Sequence, residues 1–552
     1  MKSLIRLVLL LILAFAGSAR ARTIHVSEFG ATPDDGRCDM KAIAAAIAAA
    51  TREKGAEVRF AAGTYNLTTP ATPQYYLGLI NTQNITLRGE VDASGRPATR
   101  LERNVTLNND TSVPLQILVQ GSRTITIGNF ILANNPPCGS TGRVIAVNKD
   151  RDEVVVEVLP GLPAYDGMRC ASAHAWDLAT GRLKRFGSTP ESATLTIGVG
   201  TGDHLPLWQA VPGTGARQLR MKGAGFAAKV SVGDGISWHH RVRNKNQMDV
   251  RDSDGVVYEN IILPNVTNMG LRGDQNRNLV FRRVRFEPEG GNLAVGGRDG
   301  LHLINTSGTL VVEDCYFKGL RMDPLVIKRL FGRVQEVRAD GALLVAPAYA
   351  IPTGDRLRFW VGPEPVDRTV QRCEQVEEGV YAYWFRDDAP AGTGVGSVMS
   401  YLTHSLDRGV VRNSVFVDNF GSAIVNFEEN ITVEGCTFDN NAYQVKYGPN
   451  HVSGGFVRNN VVRNNRFLDV GWVDIARRGQ PSCLVIHSLS TLFKEPRYNR
   501  DILIEGNLFR NPHREQDAVA VDIRHSEAVT LRDNVFQGFS TEVKRDGKPA
   551  RP

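Results

Sequence analysis

One short pattern of apolar and polar positions recurs along the second half of the chain. It reads ITVEGCTF at 431–438, ILIEGNLF at 502–509, VTLRDNVF at 529–536 and VVRNSVF at 410–416, with looser copies starting at Ile85, Ile125, Val256 and Leu279. Each copy alternates apolar and polar residues, which predicts a strand with one buried face. A Gly, Asp or Asn corner follows, then Asn, Cys or Ser, then an aromatic. The phenylalanines return after about 22 to 29 residues, a period typical of stacked repeats. Helical periodicity is absent from these segments, and so is the Leu-x-x-Leu-x-Leu frame of a leucine-rich repeat. The pattern predicts an all-β chain wound as a parallel β-helix, in which a coil buries its inner face only by stacking on its neighbours. Corner asparagines are expected to adopt the left-handed conformation and to hydrogen-bond along the stack.

The solenoid is expected over 22–138, 233–331 and 403–552. Asp39 to Lys54 is alanine-rich and reads as a helix that caps the first coil, covering otherwise unpaired strand edges. Two stretches, 139–232 and 332–402, break the repeat. They open alike, with GRVIAV at 142–147 and GRVQEV at 332–337, and continue as short strands between Gly and Pro turns. They are predicted to be inserted small β-barrel-like domains that wall a groove, hold glycans or simply decorate the fold.

Residues 1–21 stand apart from the fold. Lys2 and Arg6 precede an apolar run from Leu7 to Ala16, and Ala19-Arg20-Ala21 offers small residues where a signal peptidase reads. Cleavage after Ala21 and export to the periplasm or beyond are expected, and no later segment is long and apolar enough to span a bilayer as a helix. The seven cysteines lack the close spacing of a zinc site, and Cys315 and Cys436 occupy equivalent points of the repeat, as small buried residues would. The net charge of +7 is spread along the chain. It is what a solvated surface or a basic proteome ordinarily gives, leans only slightly toward an acidic polymer or an anionic cell envelope as partner, and no nucleic-acid motif accompanies it.

Candidate chemistry sits in two consecutive repeats. Asp299 lies in RDGLH at 298–302 and Asp323 in RMDPLVI at 321–327, which places the two carboxylates on neighbouring coils. Two carboxyl groups flanking a glycosidic bond are what acid–base cleavage of a sugar linkage requires. His302 follows Asp299 by three residues and can bind sugar or orient the carboxylate. Glu428, Lys446 and His451 on later coils extend a substrate groove, and Trp238 offers an apolar ring face on which a sugar can stack. The adjacent His239 and His240 point to opposite strand faces and make no metal pair.

At these residues the chain resembles the glycoside hydrolases of family 110, exo-acting α-1,3-galactosidases on a right-handed parallel β-helix. The likeness is carried by VGD at 232–234 before Trp238, NMG at 268–270, DGLH at 299–302 and GLRMD at 319–323. It implies inversion of configuration, no metal and no other cofactor, with Asp299 in a base assembly. The match breaks at one step. The family has two adjacent aspartates, and here the first is Met322; a following Asn-x-His-Gly is Val326-Ile327-Lys328-Arg329. Methionine neither donates nor accepts a proton, so the general acid is left unassigned, with Glu428, Lys328 and His451 as candidates. Three functions follow. The first is hydrolysis of α-linked galactose-like residues, with Asp299 and Asp323 activating water. The second is lysis of a uronate glycan by Arg321, Lys328, Arg329 or Lys446. The third is glycan binding without catalysis.

Overall fold

The repeated phenylalanines stack into one continuous ladder. Phe286, Phe317, Phe416, Phe438, Phe467, Phe509 and Phe536 pair in parallel register from coil to coil. Their ring centroids are 4.6 to 5.4 Å apart, with interplanar angles of 3° to 20°. That spacing matches the roughly 4.8 Å between neighbouring strands, so each ring covers the one below it. The computed structural model describes residues 22–551 except 54, 108–112, 187–193, 196–204, 241–244, 450–453, 474–480, 489–495 and 516. The proposed signal segment and His451 lie outside the described residues.

The described residues form a parallel β-helix. Its strands fall into a 20-stranded and a 12-stranded sheet, both almost wholly parallel, around a core of Val, Ile, Leu and Phe. The helix α1 (Met40–Arg52) packs Ile43, Ala46, Ile47 and Ala50 against the first coil. Among the described residues no helix is long and apolar enough to cross a membrane.

Corner chemistry is divided between two neighbours rather than carried by one asparagine. The left-handed residue comes first, as at Asn413, Gly435, Asn464, Gly506 and Asp533, where φ lies between 52° and 63°. The residue after it points inward and bonds along the stack. Asn465 donates to Asn507 and Asn507 to Asn534, each at 3.0 Å. Cys315 and Cys436 occupy this inward position, buried and free, with their thiols near the carbonyls of Glu313 and Glu434. A small side chain fits there, and the stack supplies its polar partner.

Both departures from the repeat are β domains with cores of their own. The first is an eight-stranded sheet that starts with Gly139–Asn148 and includes Gly235–His239, so Trp238 belongs to the insert and not to the solenoid. The second is a closed six-stranded barrel running from Phe331 to Tyr401. In chain order, four strands of the 12-stranded sheet, Met248–Arg251, Leu271–Asp274, Leu301–Ile304 and Leu325–Lys328, lie between the two inserts. The first leans on later coils through ion pairs of Arg182 with Asp418 and of Arg185 with Asp469, and through Trp176 and Leu183 packed with Phe420 and Trp472. The second is held by Trp360 against Phe456 and Tyr498, and by Arg500 with Glu364.

Candidate active site

The site strands of the 12-stranded sheet are β1 (Met248–Arg251), β2 (Leu271–Asp274), β3 (Leu301–Ile304), β4 (Leu325–Lys328), β5 (Ile424–Phe427) and β6 (Val445–Tyr447). Alternation turns Leu301, Leu303, Leu325 and Ile327 into the core and leaves the intervening positions on the outer face. One outer row in register is Asp249, Arg272, His302, Val326, Val425 and Lys446. The row beside it places Ile304, Lys328 and Phe427 side by side. Val326, Val425 and Phe427 make a small apolar floor.

Asp299 and Asp323 occupy matching places, two residues before β3 and β4. The coils approach closely here because glycine is available. A Cβ on Gly300 would lie 2.5 Å from the Pro324 carbonyl oxygen, and one on Gly421 would lie 2.1 Å from the Met322 carbonyl carbon. Backbone bonds from Gly300 to Asp323 at 3.0 Å and from Leu301 to Pro324 at 2.8 Å close the ladder. Met322 sits between the Arg298 carbonyl, which its N–H approaches at 3.4 Å, and the backbone of Gly421.

The two carboxyl groups have opposite environments. Asp299 is 2 % exposed. One of its oxygens lies 2.6 Å from His302 Nδ1, and the other accepts the Asp323 N–H at 3.1 Å. Burial alone would raise its pKa, but the His302 bond, positive charge and the backbone N–H hold it below the ordinary carboxylate value. Asp323 accepts the Ser422 N–H at 2.8 Å. Burial, then the negative charge of Asp299, push it up to about 7, against the opposing pull of Ser422, Lys446 and Arg321. His302 is drawn below its usual value, first by burial and then by Lys328 and Arg298, despite its Asp299 partner. A neutral His302 beside an ionised carboxylate carries its proton on Nδ1, which leaves Nε2 as an acceptor. His302 lines an open cleft of about 490 Å³ with Arg298 and Lys328.

The supports of this pair include two residues expected in other roles, Arg321 and Lys446, and two that the sequence did not single out, Phe420 and His174. Arg321 is buried and lies over the Phe420 ring at 4.9 Å. His174 of the first insert stacks on the same ring at 4.2 Å, so the insert reaches the back of the aspartate coil. Lys446 is buried, lies over Phe427 at 4.6 Å, and is brought down to about 8 by burial while Asp323 attracts its charge. Its place is against Asp323 rather than in an open groove.

Two expected groove residues lie elsewhere. Trp238 is fully buried in the first insert, 4.8 Å from Trp208 with its indole N–H toward Met168 Sδ, and no sugar can reach its face. Glu428 is 1 % exposed and 3.0 Å from Arg329, which also holds Glu429 at 3.0 Å and donates to Ser405 at 2.5 Å. This buried ion cluster ties β5 to the end of the second insert, which removes Glu428 as an acid candidate. Lys328 does line the cleft. Among the described residues no three His, Cys, Asp or Glu side chains gather as a metal site.

No family model matches the chain. An α-1,3-galactosidase A from Shewanella woodyi is 21% identical over 489 residues, covering 81% of this chain and 76% of that protein. One from Bacteroides fragilis is 18% identical over 568 residues, covering 97% and 91%. The chain is a divergent relative of the α-1,3-galactosidases. Among solved structures, the A-module of a mannuronan C-5 epimerase from Azotobacter vinelandii aligns with 94% of this chain and 97% of its own, at 12% identity and a TM-score of 0.41. A family 28 exopolygalacturonase from Yersinia enterocolitica aligns with 97% and 80%, at 15% identity and a TM-score of 0.36. The relationship to the galactosidases supports a carbohydrate-active enzyme of the glycoside hydrolase kind, and Asp299, His302 and Asp323 are the groups whose chemistry fits it.

Proposed function

We propose that the chain is an exported, exo-acting glycoside hydrolase that releases α-linked galactose-like residues with inversion. The observation that carries the reading is the opposite displacement of two neighbouring carboxyl groups, Asp299 downward and Asp323 upward. Titratable pairs pushed apart in this way divide into acid and base. Asp323, pushed up to about 7 and so about half protonated at neutrality and mostly protonated below it, donates its proton to the departing glycosidic oxygen. It thereby fills the role that Met322 cannot. His302 Nε2 takes the proton of a water that attacks the anomeric carbon from the opposite face, and Asp299 orients the ring and stabilises the imidazolium formed.

What Asp299 already does supports inversion over a covalent intermediate on that residue. Both of its oxygens are hydrogen-bonded and it is 2 % exposed, so it is badly placed to form a covalent bond to sugar. Neighbouring rungs are only about 4.8 Å apart, short of the roughly 6.5–9.5 Å usual between inverting carboxyl groups. With His302 as the group that meets water, the acid-to-base span is set by the imidazole and not by the rung. Exo-action and export rest on the resemblance and on the leader-like residues 1–21.

The deciding experiment is turnover of a nitrophenyl α-galactoside and of α-1,3-linked galacto-oligosaccharides, with Asp323→Asn as the control. Release of single galactose units, with the β-anomer first by proton NMR, is the expected result. Activity unaffected by Asp323→Asn would remove Asp323 from the mechanism. In a parallel assay on uronate polymers, ultraviolet absorbance of an unsaturated uronate product would instead establish a lyase.

A further inference from the structure

Just before β4 and β5, two short segments of neighbouring coils run side by side. Arg321-Met322-Asp323 lies against Phe420-Gly421-Ser422, each residue beside its counterpart. The Arg321 guanidinium lies over the Phe420 ring at 4.9 Å. Gly421 leaves no room for a Cβ against the Met322 backbone. The Ser422 N–H donates to Asp323 Oδ1 at 2.8 Å. Backbone bonds from Phe420 to Leu320 at 2.9 Å and from Arg321 to Gly296 at 3.2 Å hold three successive coils in this register.

The register sets a buried cation beside the acid. Arg321 is 7 % exposed. Among the described residues its side chain makes no ion pair or hydrogen bond, and its Nε–H is buried without an acceptor. Burying a charge without a partner is costly, and other buried arginines of this chain avoid it. Arg329 pairs with Glu428 and Glu429, and Arg103 donates to oxygens of Asn134, Pro114, Gln247 and Thr267. The carboxyl groups that face Arg321 are Asp323 and Asp299, with Tyr443 beside them. Asp323 is faced in turn by Asp299, Lys446, Arg321 and Lys328.

The first insert secures the platform under Arg321. His174 stacks on Phe420 at 4.2 Å, and Trp176 and Leu183 pack around the same ring. The His174 ring is held at Nδ1 by Thr194 Oγ1 at 3.2 Å. Burial, and then the Arg321 charge, keep His174 well below the usual histidine value, so it adds no second cation.

We propose that Arg321 is the built-in counter-charge for the carboxylate left on Asp323 when the glycosidic oxygen takes its proton, and that the first insert holds it there through Phe420. The role rests on the proposed hydrolase reading. In that step the Asp323 O–H bond breaks and an O–H bond forms on the glycosidic oxygen, as that oxygen's bond to the anomeric carbon breaks. The water oxygen bonds to the anomeric carbon, and its proton passes to His302 Nε2. Asp323 ends as a carboxylate and His302 as an imidazolium. The imidazolium has Asp299 against it, and the new charge on Asp323 has Arg321. A cation already in place costs no reorganisation when that charge appears. Arg321 acts through Asp323 and is a positioning residue.

Two substrates with opposite need of the acid test this. A dinitrophenyl α-galactoside has a leaving group that departs without a proton, and an α-1,3-linked galactose disaccharide does not. Arg321→Met keeps an apolar side chain on Phe420 and removes the charge. It should lower kcat on the disaccharide about 10²-fold with little change in KM, and kcat on the dinitrophenyl galactoside only about threefold. The alkaline limb of the disaccharide profile should move upward by about one pH unit or less, because loss of a cation disfavours ionised Asp323. Arg321→Lys, which restores the charge, should recover most of both effects. Phe420→Leu, which keeps the arginine and removes its platform, should move both readouts the same way, and it decides if Arg321→Met does not fold. Equal losses on the two substrates, an alkaline limb that stays in place, or Arg321→Lys no better than Arg321→Met overturns the proposal. The unmodified chain is assayed first on both substrates. Turnover followed by equal losses sinks only this inference, whereas no turnover of either substrate sinks the hydrolase reading and this inference with it.

Discussion

His302 Nδ1, on β3, lies 2.6 Å from Oδ2 of Asp299, which stands two residues before that strand. The two act as one group. Asp299 selects the tautomer that leaves Nε2 as acceptor, and His302 helps keep the buried carboxylate ionised. Asp299→Asn preserves the shape but offers an amide that can stabilise the wrong tautomer. His302→Gln removes the group that meets water. Each single change should lower kcat by about 10²–10⁴-fold, the ordinary worth of a positioned acid or base. The double variant should be little worse than either, because the two losses are one loss. Steady-state kinetics of the four proteins checks this, and fully multiplicative losses would separate the residues.

The pH dependence of kcat/KM should be a bell. Activity requires neutral His302, so the rate rises with pH through a pKa displaced below the usual histidine value by burial and by Lys328 and Arg298. It also requires protonated Asp323, so the rate falls as pH passes about 7. The maximum therefore belongs on the acidic side of neutrality. A profile still rising above about pH 8 contradicts Asp323 as acid.

Met322 offers a direct test of the electrostatics. Introducing a carboxylate through Met322→Asp places a second negative charge beside Asp323, which disfavours ionisation of Asp323 further. The alkaline limb should move upward by about one pH unit or less, with Arg298 and Arg321 limiting the effect. Profiles of the two proteins on one substrate show the shift, and an alkaline limb that stays in place would mean that Asp323 does not set it.

The coil is written locally, and that is why it could be read. Alternation, corner and aromatic all fall within eight residues, as in ITVEGCTF at 431–438, and the Phe438 ring stacks on its equivalents Phe416 and Phe467 on neighbouring coils. The aspartates were legible for the same reason, because each belongs to its own repeat. What failed depended on distant partners. Trp238 reads as a free ring beside two histidines, yet its strand pairs with Gly139–Arg143 at the other end of the insert. Glu428 reads as a groove carboxylate until Arg329, nearly a hundred residues earlier, is found 3.0 Å away. Arg321, Phe420 and His174 come from three separate segments, and nothing in any one of them signals the stack they form.

The raised Asp323 also carries a stability cost whose sign follows from linkage. Its folded pKa of about 7 exceeds the ordinary aspartate value of 3.8, so between those limits the folded chain binds more protons than the unfolded one. Stability therefore falls as pH rises through that interval and levels off above it. Asp323→Asn abolishes the titration and the repulsion from Asp299, while its amide oxygen can still accept the Ser422 N–H. The variant should match the unmodified chain near about pH 4 and exceed it near about pH 8, by on the order of 1–2 kcal/mol after allowance for the partial exposure of Asp323. Denaturant unfolding at the two pH values measures the difference. A gap that narrows as pH rises would show that Asp323 is ionised without strain in the folded protein, and that it is not the acid.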